Sequence, residues 1–124
     1  MQYLALIYGD EAAWEALSPD DRSAMYEQYG AFAQEAQKAG VMKDGNELDS
    51  TSTATTVRVR GDETLVTDGP FTELKETLGG YFVLECDSID EACGWAAKIP
   101  GASHGAIEVR PIYVDPSANG GGAS

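Results

Sequence analysis

A chain of 124 residues has room for one ordinary domain and not for two. Its 43% hydrophobic and 9% aromatic content is enough to build a core, which argues against global disorder. With 21 acidic residues against 8 basic ones the formal net charge is −13, a field that repels phosphate backbones and anionic membranes, so neither nucleic acid nor a membrane is expected as a partner.

Residues 3–8, Tyr-Leu-Ala-Leu-Ile-Tyr, are apolar on both alternating sets. A strand with two apolar faces belongs in the middle of a sheet covered on both sides. Asp10 and Glu11 follow too soon for a signal peptide or a membrane span. Residues 10–17 read as a short helical lead-in. Ser18-Pro19-Asp20-Asp21 then starts a long helix, with a capping hydroxyl, proline in the first turn and two carboxylates at the positive end of the dipole. Met25, Tyr29, Phe32, Ala36 and Ala39 recur at helical spacing, and Gly40 supplies the stop.

Residues 41–48 predict a strand interrupted at Asp44-Gly45, followed by a loose Ser/Thr-rich stretch. Residues 55–60 alternate, with Thr55, Val57 and Val59 on one face and Arg58 and Arg60 on the other. Gly61-Asp62 turns the chain into residues 63–67, which makes a β-hairpin. After Asp68-Gly69-Pro70-Phe71, Thr72 is expected to cap a helical turn over residues 73–78 that ends at Gly79-Gly80. Residues 81–86 form another two-faced strand. Ser88-Ile89-Asp90-Glu91 is a capping box for a second helix, whose buried stripe would be Ile89, Ala92, Cys93 and Ala96. The last strand falls at residues 105–113.

This order predicts an α+β fold: a ferredoxin-like β-α-β-β-α-β unit with an extra hairpin strand, an antiparallel sheet with helices on one face. The domain is expected to span residues 1–115, with a flexible tail over residues 116–124 around Gly120-Gly121-Gly122. Two helices cover only one face of such a sheet, yet its central strands are apolar on both. Covering the second face with another copy predicts a homodimer packed sheet to sheet. Cys86 and Cys93 have neither a metal-ligand spacing nor a disulfide framework, and read as core thiols of a reducing cytoplasm.

In the turn Asp68-Gly69-Pro70-Phe71, Pro70 pushes Gly69 towards extended or positive-φ geometry. Asp68 can accept from backbone amides two residues on, and Phe71 can anchor the far side in apolar contacts. A rigid corner explains as much as a functional turn does. The segment Leu65-Val66-Thr67-Asp68-Gly69-Pro70-Phe71, with Lys75-Glu76 and Leu78-Gly79-Gly80-Tyr81, resembles the YCII-related proteins of the DGPF-domain type. Residues 6–10, 54–58 and 104–111 resemble the same family, so the likeness runs over about residues 1–113. It implies a dimeric α+β barrel, a bacterial source and, in many members, genes near extracytoplasmic-function sigma factors. Relatives in the wider superfamily bind small organic molecules between sheet and helices, a fold-level analogy for the chemistry.

His104 is the sole histidine, in a glycine-flanked loop before the last strand. Imidazole is the side chain that changes charge near neutral pH, so His104 and Asp68 are the candidate catalytic pair. A loop-anchoring histidine is the alternative. Arg58 and Arg110 are candidate ligand contacts because basic residues are scarce, with a plain cross-strand ion pair as the competing explanation. Tyr8, Phe71 and Tyr81 complete the candidate ligand-binding set, although core packing accounts for the tyrosines equally well. No nucleotide, zinc or serine-hydrolase motif is present, so no cofactor and no metal are expected. The sequence leaves open a small-molecule enzyme or binding protein and, alternatively, a non-catalytic accessory protein that meets a basic partner.

Overall fold

A computed structural model describes residues 1–117. Six strands and three helices follow in the order β1 (Gln2–Asp10), α1 (Glu11–Glu15), α2 (Pro19–Lys38), β2 (Met42–Glu47), β3 (Thr55–Arg60), β4 (Glu63–Asp68), β5 (Glu76–Glu85), α3 (Ile89–Ala96) and β6 (Ala106–Pro111). The main sheet is antiparallel in the order β2-β5-β1-β6, which is ferredoxin-like. The hairpin β3-β4 is inserted between β2 and β5 and forms a two-stranded sheet of its own.

Local chemistry sets the element ends. The Ser18 hydroxyl accepts from the Asp21 amide at 3.1 Å, and Ser88 does the same for Glu91 at 3.1 Å. At the other end of α2, Gly40 has φ 74°. Its amide donates to Gln37 and the Val41 amide to Ala36, a Schellman closure that satisfies the last carbonyls. In the β3-β4 turn Gly61 has φ 60° while Asp62 keeps negative φ, as a type II′ hairpin requires.

The strand register sorts the side chains into two faces. Tyr3, Ala5, Phe82 and Leu84 point to one side and meet Phe32 and Ala36 of α2 and Ala92 and Ala96 of α3, closing the core with Val41, Cys86 and Ile99. Phe82 packs on Phe32 with ring centroids 5.1 Å apart and stacks on Tyr29 at 6.4 Å. Leu4, Leu6, Tyr8, Tyr81 and Val83 alternate onto the opposite face, beside Glu108 and Arg110 of β6. Both α2 and α3 pack on the first face.

Several expectations are corrected. Residues 73–78 are not helical: 72–75 run as an irregular segment and Glu76–Leu78 begin β5, paired with Tyr8–Asp10. Ladder hydrogen bonds to the long first strand outweigh the weak helical preference of so short a stretch. Cys86 is buried but Cys93 is exposed, as is Ile89, so the buried stripe of α3 narrows to Ala92 and Ala96. Phe71 is 74% exposed, so it is not the buried apolar anchor expected of it among the described residues. The last strand ends at Pro111, before Tyr113. Most of the expected tail, residues 118–124, lies outside the described residues. No helix among those described is long and apolar enough to cross a membrane.

Candidate functional site

Backbone geometry explains the corner at Asp68-Gly69-Pro70-Phe71. Gly69 has φ 98°, a value only glycine adopts without strain. Its amide donates to the Ala54 carbonyl at 2.7 Å, and its carbonyl accepts from the Thr56 hydroxyl at 2.8 Å. Asp68 does not receive the amide bond expected for it, because the residue two positions on is Pro70, which has no N–H. The turn therefore closes the base of the β3-β4 hairpin and directs the chain towards the end of the sheet where β1 finishes.

A cleft of about 600 Å³ opens at that end. Its walls are residues 10–12 at the start of α1, residues 51–52, and residues 70, 72–75 and 77 after the turn. Glu11 is the best-held side chain in it. Its carboxylate accepts from the Thr51 amide at 2.9 Å and from the Thr51 hydroxyl at 2.7 Å. The Ser50 and Thr51 hydroxyls, aided by that amide, hold the Glu11 carboxyl below its ordinary range. Asp10 caps α1 by accepting from the Ala13 amide at 3.2 Å. The far end of α1 is held by Arg22, which donates to the Trp14 and Glu15 carbonyls at 3.3 and 3.2 Å and lies 5.5 Å from the Trp14 ring centre. Glu73 and Lys75 complete the charged lining, so carboxylates outnumber ammonium groups three to one.

The candidate residues named from sequence are divided between the main sheet with the loop before its last strand and the separate β3-β4 hairpin with the turn that follows it. His104 is exposed at the end of a 3-10 turn, and Gly105 beside it presses against the backbone of Tyr8 and Gly9. Asp68 is exposed on β4, and no hydrogen bond joins it to His104. Tyr8 is paired with Ala106 and Leu78. The Tyr81 hydroxyl accepts from the Asn46 side-chain amide at 2.9 Å, which fixes it over the open face. Arg110 lies on the same face and is exposed. Arg58 is in the separate hairpin sheet, opposite Leu65, and neither arginine forms an ion pair among the described residues. No group of three or more His, Cys, Asp or Glu side chains among those residues is placed to hold a metal ion.

Sequence reasoning passed over Glu11, Thr51, Ser52, Thr72 and Thr77. The Ser/Thr run at 50–53 was the available signal, since hydroxyls beside a helix start offer donors to a nearby carboxylate. A second, smaller groove of about 220 Å³ lies between α3 and β6, lined by Cys93, three alanines, Ile107 and Val109, and has no charged group.

The chain is 36% identical over 114 residues to an uncharacterised protein of Rhizobium meliloti (strain 1021), covering 90% of this chain and 92% of that one. Its fold is similar to that of the 5-chloro-2-hydroxyhydroquinone dehydrochlorinase from Burkholderia phenoliruptrix AC1100, solved with 2,5-dihydroxybenzoquinone. That match has a TM-score of 0.53 at 15% identity and covers 96% of this chain and all of the other, a likeness of fold alone. The model of the YCII-related domain matches residues 1–114, and the chain belongs to that family.

Proposed function

We propose that this chain acts in the bacterial cytoplasm as a homodimer that binds a small organic molecule, with the segment after the Asp68-Gly69-Pro70-Phe71 turn as one wall of the site. The cleft of about 600 Å³ carries this reading, because its volume suits a small ligand and its wall is the stretch that the sequence marks most strongly. Charge then selects the ligand class. Asp10, Glu11 and Glu73 against Lys75 disfavour a carboxylate and favour an uncharged molecule whose hydroxyls donate to Glu73. The 5-chloro-2-hydroxyhydroquinone in the structural neighbour's name, an uncharged triol, belongs to that class. In this reading Tyr8, Tyr81, Phe71, Arg58 and Arg110 shape the dimer's interior, and His104 with Asp68 handles protons.

Hydroxyhydroquinone and benzoate, compared by thermal shift, test the proposal. The triol is expected to raise Tm by several degrees at saturation and benzoate not to. Glu73→Gln should weaken triol binding roughly tenfold, the value of one charge-assisted hydrogen bond. Absence of any shift with the triol at millimolar concentration would overturn it. The net charge of −13 favours a second reading, an accessory or regulatory protein meeting a basic partner such as one associated with a sigma factor. Partner binding that weakens steeply with salt, with no ligand-induced shift, would select that reading.

A further inference from the structure

Among the described residues, nothing gives the β3-β4 hairpin apolar support. All six residues of β4 and five of the six in β3 are exposed. Val57, Val59 and Val66 are each 60–63% exposed, and the register sets Val57 opposite Val66 on one face. Beyond its own turn, the hairpin is joined to the body through the chain at its base. A two-stranded ribbon is marginal in water by itself, and an exposed valine face calls for a cover.

We infer that the hairpin is an exchanged arm that crosses the open sheet face of a second copy of this chain. The inference rests on the homodimer of the proposed function and adds which element makes it. Three features select a second copy as the occupant. Six residues per strand give the arm a length of about 20 Å, enough to span a four-stranded sheet with strands about 4.8 Å apart. The open face offers a matching apolar strip in Leu4, Leu6, Tyr81 and Val83. Charge agrees as well. Residues 54–69 hold two basic and three acidic side chains, a net of −1, so the arm is the nearly neutral part of a chain with net −13 and meets another acidic copy at least electrostatic cost. Two exchanged arms, each about 20 Å by 10 Å, bury about 800 Å² counted on both partners. The apposed sheet faces supply the remainder of the roughly 1,200–2,000 Å² that a stable interface needs.

The test is the double variant Val57→Asp/Val66→Asp, followed by light scattering on dilution and by far-UV circular dichroism. Because the valines support no core of their own chain, the spectrum should stay that of the wild type while the dimer dissociation constant rises at least 100-fold. Hydrogen exchange on the unaltered protein gives a second reading: amides of Thr55–Arg60 and Glu63–Asp68 should be protected in the dimer and lose that protection on dilution to monomer. A wild-type dimer whose dissociation constant is unchanged by the double variant, or whose hairpin amides exchange as fast as those of a free peptide, overturns the arm and leaves the dimer standing. A wild-type protein that is monomeric at micromolar concentration overturns both.

Discussion

Gly105→Ala is the substitution that most directly tests the junction between His104 and the sheet. A Cβ at residue 105 would press into the Tyr8 carbonyl oxygen and lie 3.1 Å from both the Tyr8 carbonyl carbon and Gly9 Cα. All three atoms are backbone of the adjacent strand, so no side chain can rotate away. The start of β6 must move off β1, weakening the Tyr8–Ala106 pairing and the bond from the Gly105 amide to the Gly101 carbonyl at 2.9 Å. Overpacking of this kind costs about 1–3 kcal/mol, and one lost backbone hydrogen bond adds about 1 kcal/mol. The expected loss is about 2–4 kcal/mol, or roughly 6–15 °C in Tm for a chain of this length. Urea unfolding followed by circular dichroism, at fixed protein concentration, measures it. Gly94→Ala is the matched control. That glycine is on the exposed side of α3 with nothing within 4 Å of an added Cβ, so the change should stabilise by about 0.5–1 kcal/mol through helix propensity. A Gly105→Ala protein within 0.5 kcal/mol of wild type would refute the close approach of β6 to β1.

Three further outcomes are expected. Leu84→Ala empties a fully buried position beneath both helices and should cost about 2–5 kcal/mol in the same urea assay. Because its folded pKa is lowered, Glu11 contributes stability that is present above the ordinary glutamate pKa of about 4.3 and is lost as pH falls through the lower folded value. Glu11→Gln should therefore destabilise by about 1 kcal/mol at pH 7, and the difference from wild type should shrink as the pH falls below the ordinary glutamate range; a pH-independent difference contradicts the assignment. With Cys93 exposed and Cys86 buried, its thiol pushed up by desolvation, a chromogenic disulfide reagent should titrate one thiol in the native protein and two in denaturant. Two fast thiols in the native state would contradict the placement of Cys86.

The fold was legible wherever a signal was local and repeated. The caps at Ser18 and Ser88, the glycine stop at residue 40 and the two-faced strands each rest on neighbouring residues, and each is present in the structure. Residues 73–78 were misread because their strand character comes from pairing with Tyr8–Asp10, some 68 positions away in the chain. Cys93 and Ile89 failed for a related reason: helical spacing fixes which residues share a face but not how wide a stripe the sheet below will cover. At the site, the turn was visible from Gly69-Pro70, whereas the Glu11–Thr51 contact joins segments 40 residues apart and leaves no local periodicity.

The place of β1 in the sheet has a kinetic consequence. Both of its edges are taken by strands from the far half of the chain: Gln2 pairs with Glu85, and Tyr3 with Pro111. During synthesis, the most apolar strand has no partner until residue 85 has left the ribosome, and its second edge stays open until residue 111 has, long after α2 and the hairpin can form. Loops of this length close slowly, which places folding towards the millisecond-to-second end of the two-state range. Residues 3–8 are thus the stretch most exposed to aggregation in a nascent or truncated chain.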